Sequence, residues 1–225
     1  MLVHDGHTNA RKFFTRANAD SYDSVVSLAT FGRDINWKRL ILQAIIHKDN
    51  DSILELACGT GILSIVLAKN GMNVTGLDLT YEYLAKARRR IDLPLAQGTA
   101  EILPYRNELF DAIVSSYLVK YVDVQKVVEE CWRVLKQNGT VVFHDFTYPA
   151  NRMMRVVWNT YFIILRMVGG FVRSWKPVFE DLDEVISKSN WIVRTQDALC
   201  DRGFEDISCK YYTVGTAAII TARKP

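Results

Sequence analysis

Two rhythms of apolar and polar positions alternate along the chain. Residues 53–57 form an apolar run too short for a helix and too apolar for a surface loop, while Ile62, Leu63, Ile65, Val66 and Leu67 continue with helical spacing up to Asn70-Gly71. This pattern predicts a buried strand, a tight turn through Gly59 and Gly61, and a helix. Residues 72–77 predict a second strand ending at Asp78, followed by a helix over 80–91, a short strand over 93–97, a loop through Pro104 and a strand over 110–116. Val124, Val127, Val128, Cys131, Val134 and Leu135 recur every three or four residues, and Asn138-Gly139 is expected to stop that helix before a strand over 140–146. In the tail the pattern gives a helix over 195–200, strands over 204–211 and 214–222, and a loop at Tyr212-Thr213 too short for a parallel crossover, so these strands form an antiparallel pair.

Two helices are expected before the first strand, one carrying Val25, Val26, Leu28, Ala29 and Phe31 and ended by Gly32, the other presenting Trp37, Leu40, Ile41, Ala44 and Ile45. They belong to an N-terminal helical arm over 1–50, whose first twenty residues are polar, with His4, His7 and a short helix around Arg11-Lys12-Phe13-Phe14. The arm is placed at the mouth of a ligand site. The whole reads as one α/β domain, 1–225, with a mostly parallel sheet and a helical insertion over 147–190.

The turn after the first strand carries the first chemical signal. Gly59 and Gly61 let a ligand lie against the main chain, and Asp78, seventeen residues after Gly61, stands where an open α/β sheet holds a ribose. Together they point to an adenosine-containing ligand. Within the insertion, Trp158, Tyr161, Phe162, Ile163, Ile164 and Leu165 are densely apolar, while Arg152, Arg155, Asn159 and Arg166 fall within about 60° of one another on a helix. Such an apolar face is expected to be covered, as a lid on the domain or the wall of a lipophilic pocket, or to lie on a membrane. Gly169-Gly170 offers a break or hinge.

Charge narrows the partners. Lys and Arg number 28 against 25 Asp and Glu, a net +3 that gives no reason to expect nucleic acid. The run Arg88-Arg89-Arg90 closes a predicted helix, where cations offset the macrodipole. The four cysteines have no C-x-x-C spacing, so no metal site is expected, and without a signal-like or spanning segment the expected location is the cytoplasm, with surface association at a membrane left open.

A mainly parallel sheet closed by an antiparallel hairpin resembles the class I S-adenosylmethionine-dependent methyltransferases. Within that Rossmann-like class the chain is similar to the ubiquinone/menaquinone biosynthesis C-methyltransferases from Phe13 to Ala222. The family signature Y-D…S-x-G-x-H-x-x-W appears as Tyr22-Asp23, Thr30, Gly32, Asp34 and Trp37, with Val25-Val26 replacing a Met-Asn pair and Asp34 replacing the histidine. A second, R-V-L-K-P-G-G, appears as Arg133-Val134-Leu135-Lys136-Gln137-Asn138-Gly139, followed by His144-Asp145-Phe146-Thr147-Tyr148-Pro149. The resemblance implies a seven-stranded sheet and S-adenosyl-L-methionine as cofactor. Its implied cofactor contacts are Glu55, Gly59, Thr60, Gly61, Asp78, Thr99, Ala100 and Ser116, with Thr99 replacing the usual acid or amide. After Ser116 the family reads F-G-L-R-N, whereas this chain reads Tyr117-Leu118-Val119-Lys120-Tyr121 and loses the Arg-Asn pair.

The implied reaction is C-methylation of a prenylated quinol. A phenolic proton must leave as the ring carbon attacks, and Asp145, at the end of its strand, is the expected base or orienter. Tyr117 is the second catalytic candidate and Tyr22 another hydrogen-bonding candidate. His144 should face the other side of the sheet as a packed or surface histidine. The expected partner is a lipophilic quinol-like acceptor, with peripheral membrane contact and homo-oligomer formation both open. Competing readings are a methyltransferase for another small molecule or lipid headgroup and a non-catalytic adenosyl-binding module. A nicotinamide dehydrogenase is disfavoured by Ser64, which stands where G-x-G-x-x-G has its third glycine.

Overall fold

The central strands expected from apolar runs, around Leu54, Ile113 and Val142, are buried on both faces, and that burial sets the architecture. The computed structural model describes residues 10, 12–45, 51–169 and 172–225. Helices α1 (Arg16–Ala19), α2 (Tyr22–Ala29) and α3 (Arg33–Ala44) precede β1 (Ser52–Leu56), α4 (Ile62–Ala68), β2 (Asn73–Asp78), α5 (Tyr81–Arg88), β3 (Leu95–Gln97) and β4 (Phe110–Ser116). A 3-10 turn (Val119–Tyr121) leads to α6 (Val124–Val134) and β5 (Leu135–Phe146). The insertion supplies α7 (Arg152–Gly169) and α8 (Lys176–Lys188), and α9 (Trp191–Arg202), β6 (Glu205–Tyr212) and β7 (Ala217–Arg223) complete the chain.

The seven strands are ordered β3-β2-β1-β4-β5-β7-β6, parallel except for β7, which runs antiparallel to both neighbours. One face packs Leu54, Ile113 and Val141 against α6 and α9 through Val127, Cys131 and Leu199, and the other packs Ile53, Val74 and Val142 against α3 and α4 through Ile41, Leu63 and Leu67. Each such side chain contributes about 1.5–3 kcal/mol gross. Because the chain builds the sheet from β1 through β2 to β3 and then returns to β4 and β5 on the other side, the winding reverses between β1 and β4, and the crevice beyond their C-terminal ends is where this topology holds a ligand.

Three expectations are corrected. Asn138-Gly139 does not stop a helix: α6 ends at Val134, Leu135 already pairs with Phe110, and Asn138 and Gly139 lie in an irregularity before Thr140 pairs with Ala112. Leu135 is fully buried, and a Cβ on Gly139 would stand 2.6 Å from its Cγ, so only glycine lets the strand close over it. Helix α9 starts at Trp191, four residues before the expected start, because that indole is buried and donates to the Phe146 carbonyl at 2.7 Å. The hairpin connection is longer than two residues, with a 3-10 turn over Thr213–Gly215. His4, His7, Arg11 and Gly170 lie outside the described residues, so the expected hinge is not described at its second glycine. Among the described residues, no helix is long and apolar enough to cross a membrane, and no group of His, Cys, Asp or Glu is suited to a metal ion.

Candidate functional site

The turn between β1 and α4 is held open by its own backbone. Ala57, Gly59 and Gly61 have φ of 54°, 54° and 81°, and a Cβ on Gly61 would stand 3.2 Å from the Ala87 Cβ of α5. The Gly59 N–H donates to Asp78 Oδ2 at 2.8 Å, and the Thr80 N–H donates to Asp78 Oδ1 at 2.8 Å. Asp78 therefore fixes the turn as well as facing the crevice, and its carboxylate retains lone pairs for a ribose diol. Burial raises its pKa, opposed by those backbone bonds.

Three cavities meet at this crevice. The first, about 100 Å³, is lined by Gly59, Asp78, Thr99, Ala100, Leu118 and Val122 among others. A second, about 230 Å³, is bordered by Glu55, Gly59, Thr60, Asp34, Lys38 and Ser116 and is markedly more polar in its chemistry. The third, about 260 Å³, is walled by Trp37, Phe146, Trp158, Phe162, Leu165 and Val178, with Lys120 as its buried cation. Tyr22 and Tyr117 line all three, so they mark where the compartments join. Electron-rich rings at such a junction suit a sulfonium cation. The residues present thus fit the expected cofactor, which when bound supplies an electrophilic methyl group.

The arm closes the glycine turn through a network unforeseen from the sequence. The Thr60 hydroxyl donates to Asp23, while Arg90 lies 2.5 Å from the other Asp23 oxygen and donates to the Thr60 carbonyl at 3.3 Å. The end of the basic run is therefore a clamp across the turn and not only a helix-end charge. Asp34 accepts from the Tyr117 hydroxyl at 2.8 Å and from Lys38. The Thr99 hydroxyl donates to the Glu101 carboxylate, which leaves its backbone and Ala100 to border the first cavity.

Ser116 and His144 share a hydrogen bond of 2.9 Å between Oγ and Nδ1. Burial, with Lys38 and Lys120 adding to it, holds the imidazole far below its ordinary pKa, so His144 is a neutral packed histidine against Trp37. Burial raises the phenols of Tyr22 and Tyr117 well above their usual range, so both stay protonated, and Tyr117 gives its proton to Asp34 in a hydrogen bond. Tyr117 adopts a left-handed φ of 68° and stacks on Phe146 with centroids 4.8 Å apart.

Asp145 is fully buried and lines none of these cavities. Its Oδ1 accepts from Lys120, which stands between it and the apolar cavity. Burial drives the two toward neutrality, Asp145 upward and Lys120 downward, and each opposes that drift in the other. Asp145 therefore reaches the apolar cavity only through Lys120. The sequence did hold a signal for this: Lys120 keeps a cation where the resembled family has the arginine of its Arg-Asn pair.

Glu55 is buried, accepts from the Ser64 hydroxyl, and is lifted by burial to about 8. A folded-state value above the unfolded one penalises the ionised form, so stability is full at low pH and lost as pH rises from the model-peptide value of 4.5 towards about 8. Glu55→Gln should therefore be more stable than the wild type above that window, by on the order of a few kcal/mol, and melt at a higher temperature, with the gap vanishing in acid. Melting curves with a pH-independent gap would remove Glu55 as the source.

Comparison with known proteins decides the family. The family described as a methyltransferase domain matches residues 54–143. A demethylmenaquinone methyltransferase of Lactobacillus johnsonii is 30% identical over 221 residues, covering 92% of this chain and 88% of the relative. The chain belongs to the demethylmenaquinone methyltransferase family. It is an S-adenosylmethionine-dependent methyltransferase with the Rossmann-like fold of that class. A demethylmenaquinone methyltransferase of Thermus thermophilus is 28% identical, covering 92% of this methyltransferase and 98% of its own length. Among solved structures, the geranyl diphosphate C-methyltransferase of Streptomyces coelicolor, determined with S-adenosyl-L-homocysteine, shares the fold with a TM-score of 0.62 at 14% identity, covering 85% of this chain and 79% of that one.

Proposed function

We propose that this methyltransferase transfers a methyl group to a ring carbon of a prenylated quinol. The observation that carries the reading is the apolar cavity of about 260 Å³ that meets the cofactor compartments at Tyr22 and Tyr117 and has one buried cation, Lys120, in its wall. Relatives named for demethylmenaquinone support the same substrate class. A new bond forms between the ring carbon and the methyl group as the methyl–sulfur bond breaks, and the ring hydrogen leaves as a proton to restore aromaticity. In this reading Lys120, held by Asp145, faces the phenolic oxygen and favours its deprotonated form, while the Tyr117 oxygen, whose own proton goes to Asp34, accepts a hydrogen bond from the second ring hydroxyl and orients the ring. Glu55, Gly59 and Thr60 border the compartment for the cofactor's amino-acid portion, and Asp78, Thr99 and Ala100 that for its nucleoside, with Ser116 between them, while Gly61 lines neither and acts by shaping the turn. Residues 147–190 act as a lid, and peripheral membrane contact follows from so lipophilic an acceptor.

The test is incubation with a labelled methyl donor and a panel of acceptors: demethylated quinols with long and short tails, and lipid headgroups. Labelled quinone confirms the reading, and label confined to another small molecule or a headgroup overturns it. Trp158→Ala with Phe162→Ala should raise the Michaelis constant for the long-tailed acceptor more than for the short-tailed one, since tail burial is worth roughly 25 cal/mol per Å². Equal losses for both acceptors would make these side chains structural.

A further inference from the structure

Helix α7 is apolar on more of its surface than the fold covers. Trp158, Phe162 and Leu165 face the cavity, yet Val156, Ile163, Ile164 and Met167 on the other side are 66%, 55%, 51% and 60% exposed. With Met153 and Val157 they span an arc of about 120° at 100° per residue. The expectation that an apolar face of this size would be covered is met on the cavity side alone.

The exposed arc runs into the cavity mouth. Val157 belongs to both the arc and the cavity, and beside it Phe31 and Val214, 80% and 70% exposed, also line the cavity. These two come from the α2–α3 and β6–β7 turns, and α7 is tied to the first of them because Tyr161 donates to the Ala29 carbonyl and packs against Phe31. Both have left-handed backbone, φ 52° at Phe31 and 56° at Val214, a conformation costly for bulky and β-branched residues. Strained backbone that holds apolar side chains in water does nothing for the fold's own stability.

The charge bordering this surface is positive. Helix α7 has three arginines and no acid, and Arg33, Arg152, Arg155 and Arg173 are all exposed. Arg155 donates to the Pro149 carbonyl and keeps its charge uncompensated there, whereas Arg166 is paired with Asp183. The outward acids Glu180 and Glu184 of α8 face Lys176 and Lys188 on their own helix.

We infer that this face docks on the surface of an anionic lipid bilayer. The outer arc of α7, with Phe31 and Val214, enters the boundary between headgroups and acyl chains, and the guanidinium groups meet lipid phosphates. A second copy seated there would bring like charges together and close the cavity mouth. On a bilayer the mouth opens into the acyl layer, so a prenyl tail stays in lipid while the ring enters. That delivery route rests on the quinol reading; the docking rests on the exposed face.

The experiment is sedimentation of the full chain with phosphatidylcholine vesicles, with and without phosphatidylglycerol. The wild type should bind the anionic vesicles in a salt-sensitive way, and Val156→Ser, Ile163→Ser and Met167→Ser combined should lower the partition coefficient roughly tenfold or more. The same variant should keep its cofactor affinity and its turnover of a short-tailed, water-soluble quinol. Arg152→Gln with Arg173→Gln should abolish the preference for anionic vesicles. No binding by the wild type, or equal binding by the triple variant, overturns the proposal. A wild-type dimer that the triple variant splits, without vesicle binding, assigns the face to a second copy. Vesicle binding with no turnover of any quinol upholds docking and overturns the quinol reading instead.

Discussion

Asp145→Asn is expected to lower turnover roughly 10²–10⁴-fold while cofactor affinity hardly changes. The side chain borders neither cofactor compartment, so the loss must pass through Lys120. Without the carboxylate, burial already pulling the Lys120 pKa down is no longer opposed, and the lysine sheds its proton. A neutral amine cannot stabilise a developing phenolate. The single variant should also lose about 3–5 kcal/mol of stability, the cost of leaving one member of a buried pair alone. Lys120→Met with Asp145→Leu separates the two effects, because replacing both charges by apolar groups restores most of the stability. Turnover in that double variant should stay low. Chemical denaturation and single-turnover kinetics read the two quantities, and normal turnover in the double variant would make the pair purely structural.

Asp78→Ala should weaken S-adenosylmethionine binding by roughly 10–150-fold, corresponding to about 1.5–3 kcal/mol for a charge-assisted hydrogen bond. Two losses combine, because Asp78 borders the nucleoside cavity and also holds the Gly59 and Thr80 amides. Asp78→Asn keeps the acceptor oxygen for Gly59 and should retain more of the turn's order, so it should fall between alanine and wild type. Calorimetry on the three proteins orders them, and an alanine variant of undiminished affinity would remove Asp78 from the site.

The central parallel strands β1 and β4 were legible because each is buried on both faces and has no second way to satisfy its apolar run. Gly59, Gly61 and Asp78 were legible for a related reason: a glycine turn and an acid at successive strand ends leave few other meanings. Asn138-Gly139 misled because the same dipeptide ends helices and permits bulges, and only the burial of Leu135 beneath it selects the second. The Lys120–Asp145 pair and the Arg90–Asp23–Thr60 clamp join residues 25 to 67 positions apart, as far as local patterning is concerned unrelated. Periodicity found the apolar character of α7 but could not say how much of it the domain would cover.

The roof of the apolar cavity is sewn from the N-terminal arm and the helical insertion. Trp175 donates to the Ser21 hydroxyl across 154 positions, Lys12 pairs with Asp181 across 169, and Tyr161 reaches Ala29 across 132. The sheet's first strands pair across some 21 to 59 positions, whereas these contacts must close much longer loops before they return any energy. A chain emerging during synthesis thus forms its nucleotide-binding half early and gains a lipophilic chamber only after the insertion has appeared. Until then Phe13, Phe14 and Tyr22 pack against Tyr83 and Tyr121 but lack the Trp175 that stacks on Tyr22, so the half-made protein presents open apolar surface of the kind chaperones bind.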